Sequence, residues 1–130
     1  MQKTSRNTLI IDAYNANPTS MDAALNNFAA VQAPARIAML GDMLELGDDS
    51  LAEHVAVIRR ALSLGLQKVC LVGKEFGKAL TEMGSEGENI RHFETSDQLA
   101  SWAEKSAVSD AVILIKGSRG TRMEKVVEKL

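Results

Sequence analysis

Cysteine is all but absent: Cys70 is the only one in 130 residues. A lone thiol cannot cross-link its own chain, and no second ligand-type residue is spaced to hold zinc with it. It sits in the apolar run Val69-Cys70-Leu71-Val72 and reads as a small buried hydrophobe. That usage suits a reducing compartment, so a cytoplasmic location is expected. Long apolar runs are lacking too. The longest is five residues, Ala111 to Ile115, where a bilayer span needs about 20, so no membrane helix is expected. Gln2 to Thr8 is polar and offers no secretory core. Charge of one sign is missing as well. Fifteen Lys and Arg against 17 Asp and Glu leave −2, which provides no broad basic surface for nucleic acid. With 45% apolar and 25% charged residues, disordered and fibrous classes are excluded. The length fits one domain, expected over residues 8–130, with residues 1–7 a linker or the remnant of an artificial start. A monomer is expected.

Two nucleotide signatures are also missing. No Gly-x-Gly-x-x-Gly follows the first apolar run, which argues against dinucleotide binding of the usual kind. Gly73-Lys74-Glu75-Phe76-Gly77-Lys78-Ala79 lacks the four-residue gap of a P-loop and ends in Ala79, where a hydroxyl would hold magnesium. His54 and His92 have no metal-ligand partner at i+3 or i+4.

What is present is alternation. Five short apolar runs (Thr8–Ala13, Arg36–Leu40, Lys68–Val72, Ile90–Phe93 and Ala111–Ile115) predict strands; the most apolar of them do not alternate with polar residues, as in strands covered on both faces. Between and after them lie stripes of helical period: Met21, Leu25 and Phe28; Leu51, Val55, Ile58 and Leu62; a weaker segment over Glu75–Met83; Leu99, Trp102 and Ala103; and Met123, Val126, Val127 and Leu130. Ser50 to Glu53, Thr95 to Gln98 and Thr121 to Glu124 fit capping boxes, and Thr19 to Asp22 is a looser version. Gly65 and Gly84 mark helix ends. The stretch Gly84–Asn89 is the one flexible-looking loop. Strict β-α alternation predicts an α/β, Rossmann-like, doubly wound and mainly parallel sheet with helices on both faces.

Ligands of such sheets bind beyond the carboxyl ends of the strands, so the residues after each strand carry the chemistry. The first loop, Asp12 to Ser20, is dense in hydrogen-bonding groups; Asp12 can accept ribose hydroxyls, and Asn15 and Asn17 each offer a donor and an acceptor. The same residues suit a plain turn, and Tyr14, an aromatic in a polar loop, tilts the reading towards a ligand. The last loop carries Lys116, Arg119 and Arg122 beside Gly117, Gly120 and a helix start, a setting for phosphate or carboxylate. A phosphoacceptor receiver domain shares the alternation, but the end of the third strand holds Gly73-Lys74 where that class needs an aspartate.

Three segments make a more specific pattern: Asp12-Ala13-Tyr14-Asn15-Ala16-Asn17-Pro18-Thr19-Ser20-Met21, Leu40-Gly41-Asp42-Met43-Leu44-Glu45-Leu46-Gly47, and Ile115-Lys116-Gly117-Ser118-Arg119 followed by Met123-Glu124. Together they resemble the C-terminal domain of the Mur ligases, from about Thr8 to Leu130. The Tyr-Asn-Ala-Asn-Pro form of the first loop is similar to the branch that adds D-alanyl-D-alanine. The resemblance implies an ATP- and magnesium-dependent ligase, the cofactors being held mainly by a separate central domain. Its partners would be ATP, UDP-N-acetylmuramoyl-tripeptide and D-alanyl-D-alanine. The implied chemistry is amide formation through an acyl phosphate, with this domain closing over the site and no catalytic residue in it alone. By resemblance, Asp12, Tyr14, Asn15 and Asn17 face the nucleotide, and Ser118, Arg119 and Thr121 meet the acceptor. Charge adds Lys116 or Arg119 for a terminal carboxylate and Asp42 and Glu45 for an ammonium. His54 fits the family pattern without an assigned role. The competing expectation is a stand-alone anion or small-ligand binding module without catalysis.

Overall fold

The structure is a computed structural model that describes residues 1–13, 15–84 and 89–130. Tyr14 and most of the expected flexible loop, residues 85–88, lie outside the described residues. The strands are β1 (Gln2–Lys3), β2 (Thr8–Asp12), β3 (Arg36–Gly41), β4 (Lys68–Val72), β5 (Ile90–Phe93) and β6 (Val112–Lys116). The helices are α1 (Pro18–Ala29), α2 (Ser50–Leu62), α3 (Lys74–Met83), α4 (Ser96–Ser106) and α5 (Glu124–Val127). Among the described residues, no helix is long and apolar enough to cross a membrane.

The strands order as β1-β2-β6-β3-β4-β5, all parallel except β1, which pairs antiparallel with β2. This is the expected α/β sheet. The pleat sends alternate residues to opposite faces. Ala38, Leu40, Val69, Leu71 and Leu114 meet Met21, Leu25 and Phe28 of α1, Ile58 of α2 and Phe76 of α3. Ile37, Met39, Cys70, Val72, Ile113 and Ile115 meet Leu99 and Ala103 of α4 and Met123 and Val126 from the C-terminal segment. Each fully buried Val, Leu, Ile, Phe or Met among them contributes roughly 1.5–3 kcal/mol. Cys70 is buried beside them, and burial pushes its thiol up to about 12.

The chain path positions everything that follows. Three crossovers carry it from β2 through β3 and β4 to β5 with α1, α2 and α3 on one face. The fourth, through α4 on the other face, returns β6 to the gap between β2 and β3. The end of β6 is thereby flanked on both sides: Lys116 aligns with Asp12 on β2 and with Leu40 on β3.

Several local expectations give way to tertiary partners. α1 starts at Pro18, not Thr19: Asn17 is its cap, with Ser20 completing a reciprocal box. The Ser50 box does not form, because a 3-10 turn over Gly47–Asp49 runs straight into α2 and the Ser50 hydroxyl donates to Glu75. The buried face of α2 is Ser50, His54, Val57, Ile58 and Ala61, while Leu51 is exposed. The Thr121 box fails too. Thr121 donates to the Ser118 carbonyl, Arg122 turns left-handed at φ 52°, and only the short α5 follows. Of the Thr95 box only half forms: the Thr95 hydroxyl accepts from Gln98 N–H, while the Gln98 side chain accepts from Glu94 N–H instead of the cap residue.

Residues 1–7, expected as a linker, carry β1 and the buried Asn7. The Asn7 side chain donates to the carbonyls of Val108 and Leu130, and accepts from Ala111 N–H at the start of β6. It fastens the N-terminal segment to the C-terminus. Replacing Asn7 with Leu strands buried backbone groups, each worth about 1–3 kcal/mol. Urea unfolding of Asn7→Leu should show a loss of about 2 kcal/mol or more; a change below about 0.5 kcal/mol would contradict this role.

Candidate functional site

The site is the rim at the carboxyl ends of the strands, and it has two parts. The first lies over β2 and β6. Lys116 follows a run of apolar residues, so its ammonium ends inside the protein with the side chain 1% exposed. It donates to Asp12 Oδ2 at 2.6 Å and to the Asn15 carbonyl at 2.9 Å. A buried charge needs such partners, and a charge-assisted hydrogen bond is the strong kind. Gly117 N–H adds a bond to the Asp12 carbonyl at 3.2 Å. These contacts hold the first loop against β6 with half of the Asp12 side chain in solvent and Asn15 exposed. Asn17 is committed to capping α1. Lys116, expected on the acceptor side, is committed to this first loop.

The second part lies over β3, β4 and β5, beside the turn after β6. Asp42 is buried, and its two oxygens accept from Glu75 N–H and Phe76 N–H, each at 3.0 Å, at the start of α3. Burial pushes its carboxyl up, opposed by these two bonds. Gly73 precedes α3 at φ 116°, where a Cβ would overlap the Asp42 carboxylate. Asp42 is therefore a cap reaching across from a neighbouring strand, both of its oxygens bonded to α3, and it also borders the adjoining cleft. Glu45, expected to meet an ammonium, is exposed with φ 63° and is not among the residues lining the adjoining cleft.

That cleft has a volume of about 470 Å³. Its walls include Leu44, Lys74, Ser96, Thr121, Arg122 and Lys125, together with the carboxylates of Glu94 and Asp97. Lys125 pairs with Asp97 at 3.2 Å. Thr121, expected on the acceptor side, lines this cleft. The turn that holds it packs tightly: a Cβ on Gly41 or on Gly117 would each stand 2.7 Å from Thr121 Oγ1. Ser118 Oγ is buried without a hydrogen-bond partner among the described residues. Arg119 is exposed at the start of the same turn.

Sequence reasoning passed over the loop after β5. Thr95, Ser96 and Asp97 were legible only as a helix start and Glu94 had no reading, although any loop after a parallel strand reaches this rim. Lys125 carries no sequence signal at all. Among the described residues, no group of three or more His, Cys, Asp or Glu can hold a metal ion.

Comparison with known proteins places this geometry. The family described as Mur ligase, glutamate ligase domain, matches residues 1–119. The UDP-N-acetylmuramoyl-tripeptide–D-alanyl-D-alanine ligase of Escherichia coli (strain K12) is 36% identical over 132 residues, spanning 100% of this chain and 28% of that protein. The ligase of the same name from Rickettsia prowazekii (strain Madrid E) is 34% identical over 120 residues, spanning 92% of this chain and 26% of that protein. A crystal structure of MurF from Acinetobacter baumannii superposes with a TM-score of 0.81 at 32% identity, over 100% of this chain and 29% of that one. The chain thus spans little more than a quarter of the length of these relatives.

One link inside the rim is open to direct titration. The Ser50 hydroxyl donates to Glu75 Oε1 at 2.7 Å, and this bond, ahead of nearby Lys78, holds the Glu75 carboxyl below its ordinary value of 4.5. A depressed carboxylate contributes stability that is present above the ordinary value and lost as pH falls through the folded one. NMR titration of Ser50→Ala should show the Glu75 midpoint moving up towards the usual carboxylate range. An unmoved midpoint would refute the link.

Proposed function

We propose, from the premise that this chain belongs to the Mur ligase family through its glutamate ligase domain, that it is, with residues 1–7 included, the closing C-terminal domain of an ATP-dependent ligase. The ligase joins D-alanyl-D-alanine to UDP-N-acetylmuramoyl-tripeptide, a step of peptidoglycan precursor synthesis, and works in the cytoplasm. The names of the relatives from Escherichia coli and Rickettsia prowazekii support that specificity.

The observation that carries the reading is the mixed-charge cleft. A dipeptide is a zwitterion with two small apolar side chains. It asks for a cation at its carboxylate, a carboxylate at its ammonium and an apolar wall between. The cleft offers Lys74, Arg122 and Lys125, then Glu94 and Asp97, then Leu44. The Ser118 hydroxyl, unpartnered among the described residues, and the Arg119 guanidinium belong to the same turn and are assigned to the acceptor's carboxylate end.

The nucleotide belongs to the other part of the rim. Asp12, half exposed and held still by Lys116, suits ribose hydroxyls, with the exposed Asn15 beside it. Tyr14 is assigned to the nucleotide by resemblance alone. ATP, when bound, supplies the phosphoryl group that activates the peptide carboxylate. Magnesium is assigned to the part of the ligase outside this chain. What this domain contributes is orientation: it carries the acceptor amine to the activated carbonyl and excludes water as it closes.

The chain alone should then bind without turning over. Given ATP, magnesium, UDP-N-acetylmuramoyl-tripeptide and D-alanyl-D-alanine, it should release no phosphate above blank. In an amide NMR titration the dipeptide should shift Lys74, Ser96, Thr121 and Arg122 with millimolar affinity. Ligation by the chain alone would overturn the domain reading, and micromolar affinity would favour a self-sufficient binding module.

A further inference from the structure

His54 is completely buried on α2, and neither the nucleotide nor the acceptor assignment uses it. Its surroundings define its state. Met43 N–H donates to Nε2 at 3.0 Å. A backbone N–H only donates, so Nε2 is the lone-pair nitrogen and the proton sits on Nδ1. Nδ1 lies 2.7 Å from the Ser50 carbonyl, which accepts that proton. The Phe76 ring meets the imidazole edge-on at 4.6 Å, and Asp42 Oδ1 lies 3.9 Å from Nε2. The ring therefore touches the loop after β3, the start of α2 and the start of α3 at once.

The loop it touches has few backbone hydrogen bonds of its own, although the Met43 side chain is buried in the core and Leu46 packs against it. Asp42 N–H bonds to Val72 O, and the next backbone bond is Asp49 N–H to Leu46 O. Between these, Leu44 and Glu45 are exposed, and Glu45 is left-handed. Leu44 stands over the cleft, close enough to the last turn that a Cβ on Gly120 would lie 2.9 Å from its Cδ1. The Met43 amide is the anchor immediately before Leu44, and His54 is the acceptor for that amide.

We infer that His54 is a positioning residue for the acceptor cleft: through Met43 N–H it fixes the Asp42–Leu46 loop and so sets where Leu44 stands as the apolar wall. This rests on the reading of the cleft as the dipeptide site. An apolar residue of similar volume would fill the same space and leave the Met43 amide without an acceptor. A side chain with an oxygen at the position of Nε2 would keep it.

Two variants of the chain and one spectrum of the unaltered protein test this. The ring-nitrogen NMR spectrum should show Nδ1 protonated and Nε2 bare. In His54→Leu, Met43 amide exchange should accelerate about tenfold or more, the Leu44 methyls should shift, and dipeptide affinity should fall several-fold. In His54→Gln, Met43 protection and dipeptide affinity should return towards those of the unaltered chain. A protonated Nε2, a Leu variant with Met43 protection and Leu44 unmoved, or a Gln variant behaving like the Leu one would each overturn the inference. If the Leu variant does not fold, the nitrogen spectrum and the Gln variant decide. Absence of any dipeptide shift in the unaltered chain would strike the acceptor reading, while the exchange data would still report on the anchored loop.

Discussion

The rim is organised around one buried ammonium. Lys116 is delivered by an apolar strand into the interior, where an unpartnered charge would be costly, and it finds Asp12 and the Asn15 carbonyl there. The first loop must therefore fold down onto β6, and only then do Asp12 and Asn15 present their outer atoms on one side. Because β6 lies between β2 and β3, Gly117 stands against Gly41, and Thr121 closes over both glycines. The electrostatic requirement thus shapes the first loop, while the strand order fixes the point from which the last turn departs.

A division of labour follows among the polar residues. Of the buried ones, Asp42, Ser50, His54, Ser96 and Lys116 lie at or beneath the rim, and Asn7 lies at the chain termini. The buried rim residues with defined partners spend their hydrogen bonds on neighbouring loops. Asp42 caps α3, Ser50 reaches Glu75, and His54 holds Met43. The exposed residues beside them, Arg122 and Lys125 among them, remain at the surface and are the groups the proposed reading gives to a ligand. This is the pattern expected where side chains must be pre-positioned: an inner layer sets the outer layer's geometry.

The sheet was legible in the sequence because its apolar runs are short, continuous and evenly separated. Their boundaries agree with β2 to β6 to within a residue at each end. Residues that end up near one another, such as Asp12 and Lys116 or Asp42 and Thr121, could be grouped from the rule that loops after parallel strands share a rim. What the sequence withheld was which polar side chain faces which way. Asp42, Asn17 and Lys116 carry the same chemistry as ligand-binding residues, and only the packing reveals that backbone groups already claim them. Ser50 and Thr121 likewise fit a local capping pattern, but Ser50 found a stronger partner in Glu75 and Thr121 closed a tighter turn on Ser118. The buried face of α2 was misplaced for the same reason, since Ser50 and His54 occupy positions where periodicity looks for apolar residues.

The dependence of the first loop on the buried ammonium can be read in a single experiment: amide NMR of Lys116→Met, which keeps the volume of the stem and removes the charge. The signals of Asp12 and Asn15 should shift and broaden while those of β3 and β4 stay in place. Asp12 and Asn15 signals that remain where they are in the unaltered chain would mean that the loop is held by something other than Lys116, and the organisation described above would not stand.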